Sequence, residues 1–144
     1  MGARRTGRER ALQALYQMEM SSSPPEDALA AAWAAEPDPT PGPPKVDPES
    51  ESFARDLVHG VRENTAAIDT LIEEHSHNWR LDRMTRIDRN VLRLAVFELK
   101  FRTDIPRKVS LNEAVELGKK FGTEESSAFI NGLLDRVAIA LGKP

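Results

Sequence analysis

Four arginines, Arg4, Arg5, Arg8 and Arg10, stand in the first ten residues, with one acid among them, Glu9. Each guanidinium is planar, permanently charged and rich in N–H donors, so such a cluster suits closely spaced anions. Nucleic acid is the commonest partner of that kind. The decapeptide carries +3 and the whole chain −3, so everything after Arg10 carries −6. A cationic tip on an anionic body is the first functional signal. The plain alternative is a basic terminus that only aids solubility.

A second cluster runs from Lys119 and Lys120 through Phe121, Gly122, Thr123, Glu124 and Glu125 to Phe129, Asn131 and Gly132. Gly122 reads as a helix stop and Thr123 as the next N-cap, which frees backbone amides for an anion. Phe129 falls one residue off the apolar stripe of Ile130, Leu133 and Leu134. It reads either as a ring offered to an unpaired base or as core. Asn131 and Gly132 are poor helix formers, so close packing or a contact by the Asn side chain must offset them. A third feature is the run Arg80, Arg83, Arg86, Arg89 and Arg93. It reads as a solvated face with pairs such as Arg86 with Asp82, except that Arg93 sits in an apolar run and suits burial against a carboxylate.

Catalytic chemistry has no foothold. There is no cysteine, which removes disulfides, thiolate metal sites and a Cys nucleophile. His75 and His77 near Glu73 and Glu74 are the best metal candidate, but residues two apart on a helix do not share a face. No Gly-rich phosphate loop, nucleophile elbow or His-x-x-x-His motif is present. Expected, then, are no enzyme activity, no cofactor and no metal. No apolar run approaches the ~20 residues of a membrane span, and no apolar segment follows the N-terminal arginines as in a secretory signal. A cytoplasmic location with no membrane contact is expected.

The elements that would position these residues read as helices throughout, about seven in a single all-α domain. A first helix is expected from about Thr6 to Met20, with Ala11, Leu15 and Met18 inward. Ser23 with Glu26 resembles a capping box opening a short Ala-rich helix that ends near Glu36. Residues 37–48 hold six prolines in twelve. That composition predicts a linker without regular hydrogen bonding. Asp47 and Pro48 restart a helix that buries Phe53, Leu57, Val58 and Val61 and carries His59. Asn64 reads as capping a continuation through Ile68, Leu71 and Ile72, and 76–82 reads as a break. Thr85 with Asp88 reads as a capping box before the most apolar helix, Val91 to Leu99. Ser110 with Glu113 reads as a third box, and the last helix buries Ile130, Leu133, Leu134, Val137 and Leu141. An N-terminal bundle over about 1–76 and a C-terminal bundle over about 77–144 are expected.

The ordered motifs resemble the NusB family of transcription antitermination factors. They are Arg8, Glu9, Ala11, Gln13, Leu15 and Tyr16; Asp88, Val91, Leu92, Arg93, Leu94, Ala95, Phe97, Glu98 and Leu99; Ile105, Pro106, Lys108, Val109 and Leu111 through Leu117; Lys119, Phe121 and Gly122; and Phe129 through Asp135. The resemblance covers essentially all but the proline segment. It implies an all-α fold of two small bundles without catalysis. It implies binding to boxA RNA of ribosomal RNA leaders together with NusE, a ribosomal small-subunit protein. NusA, NusG and RNA polymerase would be indirect partners, and a homodimer is left open. It assigns Arg4, Arg5, Arg8, Tyr16, Lys120, Glu125 and Phe129 to RNA, and Asp88, Glu125 and Phe129 to the protein partner. Thr6 and Gly7 interrupt a denser arginine run usual in the family. Two other readings stay open: a helical adaptor that binds only protein, and the N-terminal domain of an RNA methyltransferase, which would need a longer parent. Replacing the part of the proline segment that precedes the Asp47 cap, residues 37–46, with a Gly-Ser segment of equal length should leave the melting temperature and RNA binding unchanged, checked by thermal melts and RNA titration.

Overall fold

The computed structural model describes residues 2–35, 46–77 and 79–144. The proline-rich segment expected at 37–48 lies outside the described residues except for its last three. Seven α-helices are present among the described residues: α1 (Ala3–Ser21), α2 (Pro25–Ala34), α3 (Pro48–Glu63), α4 (Thr65–Glu74), α5 (Arg86–Phe101), α6 (Arg107–Phe121) and α7 (Ser126–Leu141). A single 3₁₀ turn, Leu81–Arg83, precedes α5. No described helix is long and apolar enough to cross a membrane. The chain divides into two compact units, Met1–His59 and Gly60–Pro144. This division falls inside α3, not at the break near residue 76. The reason lies in α4, whose buried Ile68 and Ile72 pack the helix with α5.

In the first unit α1 packs on α2. The core is aliphatic, with Ala11, Leu12, Ala14 and Leu15 from α1 and Ala28, Leu29, Ala32 and Trp33 from α2. Asp47 caps α3 as expected, its Oδ2 accepting from the Ser50 amide at 3.1 Å and the Ser50 hydroxyl at 2.8 Å. The capping box at Ser23 is a correction. Pro24 is the N-cap of α2, with no side-chain cap bond, and Ser23 Oγ lies 2.6 Å from Ser21 Oγ. Glu26 turns instead to α3, accepting from Arg55 at 2.8 Å and lying 2.8 Å from His59 Nε2. With Pro24 at the N-cap in the extended conformation, Ser23 stands one residue before the cap position.

In the second unit α5 is the central helix. Val91, Leu92, Leu94, Ala95, Val96, Phe97 and Leu99 are all buried, and α4, α6 and α7 pack around it. Thr85 caps α5 as expected, its Oγ1 accepting from the Asp88 amide at 3.1 Å. Arg93, among these apolar residues, donates from Nε and Nη2 to Asp69 of α4 at 2.9 and 3.0 Å, the bidentate geometry that burial of an arginine requires. Gly60 is where the end of α3 meets α5: a methyl group there would stand 2.2 Å from the Phe97 ring.

The third capping box is a second correction. α6 begins four residues early, at Arg107 with Pro106 as N-cap, so Ser110 is helix interior and buried. Its hydroxyl donates to Glu98 Oε1 of α5 at 2.9 Å. Glu98 is buried in an apolar helix and needs donors, so the serine is spent on it and not on the backbone. Asn64 is likewise no side-chain cap, because its Nδ2 donates to the Gly60 carbonyl at 2.8 Å. Ser110→Ala should lower stability by about 1–3 kcal/mol, the range for withdrawing a partner from a buried charged group. Chemical denaturation of the two proteins checks it.

Candidate nucleic-acid and partner interface

The arginine-rich tip is about the first two turns of α1, which starts at Ala3 with no acidic residue in its first turn. A helix N-terminus is the positive end of the helix dipole, so cations there oppose the helix by about 0.3–1 kcal/mol each. The four arginines differ in fate. Arg4 and Arg5 are exposed. Arg8 is 4% exposed, with its guanidinium 5.1 Å from the Phe53 ring centroid. Arg10 is half-buried over Trp33 at 5.9 Å. Of the three arginines expected to form the contact surface, Arg4 and Arg5 are exposed and Arg8 is enclosed against α3. Tyr16 is 40% exposed. It follows Arg5 by eleven residues, which on an α-helix is three turns and about the same side, roughly 16 Å along the axis. Arg5 and Tyr16 thus share one exposed strip of α1.

The second group forms around the start of α7. Gly122 ends α6 as expected, but α7 starts at Ser126, with Glu125 and not Thr123 at the N-cap. The Ser126 hydroxyl takes the capping role in reverse, accepting from the Thr123 amide at 2.9 Å. A methyl group on Gly122 would fall 2.3 Å from Ser126 Oγ, so this turn needs glycine for close approach. Lys120 is exposed in the last turn of α6, with Nζ 5.4 Å from the Phe121 ring. Asn131 is exposed and Gly132 is open, with only Arg136 Nη1 at 3.6 Å, so helix packing does not explain that pair. The α6–α7 packing glycine is Gly118, whose methyl would lie 2.9 Å from Ile130 Cδ1.

Asp88, Glu125 and Phe129, far apart in sequence, line one open cleft of about 370 Å³. Trp79, Arg83 and Met84 line it too, with Thr85 and Thr123. Phe129 is half-buried and neither core nor fully displayed, and its ring meets Trp79 edge-on at 6.3 Å between centroids. Trp79 is 55% exposed, a large apolar surface for water to cover. Asp88 is only 8% exposed, and its Oδ1 has no hydrogen-bond partner among the described residues. A buried carboxylate oxygen left unpaired is costly and is suited to a donor brought by another molecule. Sequence reasoning finds one wall of the cleft but misses Trp79, which falls in the 76–82 segment that reads only as a break, and Met84, and it takes Arg83 only as part of the basic run. A tryptophan close to arginines in a short non-helical stretch is the signal. No histidine lines the cleft, and His75 Nδ1 lies 2.8 Å from the Leu71 carbonyl oxygen. Among the described residues no three His, Cys, Asp or Glu are placed to hold a metal ion.

The NusB family profile matches residues 5–139. The chain belongs to the NusB family. It is 68% identical over 144 residues to the transcription antitermination protein NusB of Myxococcus xanthus (strain DK1622), covering all of both chains. Among solved structures it resembles NusB of T. maritima, with a TM-score of 0.81 and 39% identity over 94% of this chain and 90% of that one. It also resembles a chain in the crystal structure of the antitermination factors NusB and NusE in complex with dsRNA. There the TM-score is 0.83 and the identity 25%, over 96% of this chain and 97% of that one. This chain of the NusB family carries both the exposed arginine strip and the aromatic–acid cleft. Phe129→Ala should cost about 1–2 kcal/mol, below the ~3–5 of a fully buried phenylalanine, because its ring is half-buried and its gain is one edge contact. Thermal and chemical melts of the variant check this.

Proposed function

We propose that this NusB-family chain is an RNA-binding transcription antitermination factor that takes up boxA RNA together with NusE. The observation that carries the reading is the placement of Arg4 and Arg5. They stand exposed in the first turn of a helix whose dipole opposes them, on a chain matched to the family from residue 5 to 139. The helix dipole opposes a cation there, whereas phosphate binding gains from one. The solved relative bound to NusE and RNA supports the same assignment. Tyr16 on the strip and Phe129 at the cleft offer ring faces to unpaired bases. The unpaired Asp88 oxygen with Trp79 beside it suits a protein partner bringing a donor and an apolar side chain.

The chemistry assigned is binding alone. The arginine strip and the cleft offer cations, rings and carboxylates, groups suited to holding RNA and a protein partner, and the reading is of a factor and not an enzyme. Its place of action is where transcription occurs, in the cytoplasm, with NusA, NusG and RNA polymerase as indirect partners. Glu125 at the N-cap of α7 favours the helix through the dipole while repelling phosphate, a compromise between stability and binding.

The test is titration of fluorescent boxA RNA, against a scrambled strand, with and without purified NusE. Sequence-selective binding that NusE strengthens is expected, and equal binding of both strands would overturn the reading. Replacing Arg4 and Arg5 together with Ala should weaken binding and reduce the log–log salt slope by ~0.7 for each phosphate no longer neutralised. Asp88→Ala should weaken association with NusE, measured by calorimetry, while leaving binding to RNA alone unchanged.

A further inference from the structure

We propose that Phe53 is a positioning residue for the arginine-rich tip: a single ring, admitted by Gly7, seats the guanidinium groups of Arg4 and Arg8 and fixes how Arg4 meets RNA. This rests on the RNA-binding reading above and goes beyond it by assigning a role to a residue of another helix.

The geometry begins with spacing. Residues 4, 7 and 8 share one face of α1, being three and four apart. At position 7 that face has no side chain. A methyl group there would lie 2.9 Å from the Ser50 carbonyl oxygen and 3.0 Å from Phe53 Cδ2. The missing side chain is therefore what lets the backbone and ring of α3 come against α1. Phe53 fills that notch and is itself buried. The guanidinium carbons of Arg4 and Arg8 then stand 5.0 and 5.1 Å from its centroid, both within cation–π range.

Two cations four apart on a helix repel, and the dipole at an N-terminus adds to the cost. The negative face of an aromatic ring offsets both. The two arginines use it differently. Arg8 is enclosed and holds the ring, whereas Arg4 meets the same ring from an exposed position. A long side chain loses rotamer freedom when it docks on a phosphate. Holding Arg4 against the ring beforehand removes part of that loss. The interruption of the arginine run at Gly7 thus acquires a reason: an arginine at that position would exclude the ring that orders its neighbours.

Phe53 is also core, so the experiment must separate positioning from mere stability. Anisotropy titrations of boxA RNA would use the full chain and its Arg4→Ala, Phe53→Leu and doubly substituted forms, each over a series of salt concentrations. Phe53→Leu keeps an apolar side chain but removes the π face, and should weaken binding about twofold to fivefold. The deciding reading is the cycle: Arg4→Ala should cost clearly less in the Phe53→Leu background than alone. Costs that simply add would overturn the proposal while leaving the RNA reading intact. No binding by the unsubstituted chain would overturn both. Should Phe53→Leu fail to fold, NMR of the unsubstituted protein decides. The Arg4 side-chain protons should be shifted upfield by the ring current, and random-coil shifts there would overturn the proposal.

Discussion

Everything in the second unit follows from one constraint: α5 is apolar on nearly every side and must be enclosed. From Val91 to Leu99 only Arg93 and Glu98 break the apolar run, and both are tied to other helices. Enclosure by α4, α6 and α7 leaves no freedom in how these polar groups are satisfied. Asp69 faces Arg93 and Ser110 faces Glu98, and loss of either contact withdraws a partner from a buried charge. The aliphatic contacts supply most of the driving force, but they tolerate sliding. The two polar contacts do not, because hydrogen bonds weaken steeply with distance and angle. They fix the register of α4 and α6 on α5.

That register reaches the cleft. Asp88 stands on the first turn of α5, held there by the Thr85 cap, so its carboxylate goes wherever the helix start goes. The start of α7 is set by Gly122 and by the Ser126 hydroxyl drawn back to the Thr123 amide. Glu125 and Phe129 take their positions from that turn. The cleft is thus built where two helix starts converge, and the unpaired Asp88 oxygen lies in it because the fold supplies the cap on one side and no donor on the other. In the first unit the logic is the same with different residues. The absence of a side chain at Gly7 brings α1 and α3 close, and that closeness decides which arginines are enclosed and which remain outside.

The capping sites show how far letters alone reach. Thr85 with Asp88 and Ser110 with Glu113 have the same form, and only the first is a cap. The difference lies in what precedes them. Pro106 starts α6 early because it needs no amide partner and is already in the extended conformation of an N-cap residue. Ser110 is then one turn inside, facing a carboxylate twelve residues back along the chain. Likewise Ser23 has the right spacing to Glu26, but Glu26 finds Arg55 and His59 on another helix. A local motif proposes a bond, and a tertiary neighbour of higher charge takes the same atoms when it is within reach.

The order of the amino acids was enough for the helical class, the inward stripes of α3, α5 and α7, the caps at Asp47 and Thr85, and the family. These depend on periodicity, on side chains reaching their own backbone, and on ordered motifs, all of which are local along the chain. It also marked Arg4, Arg5, Asp88 and Phe129 as residues of interest, since cations at a helix start and a ring off the stripe are visible without a fold. The packed chain was needed to show that Arg8 is enclosed, that Trp79 joins the cleft, that Ser110 serves Glu98, and that the first compact unit ends within α3. Each of those depends on which distant surface comes within a few ångströms. Packing distance is set by side chains such as the absent ones at Gly7 and Gly60, whose effect emerges only when the facing helix is in place.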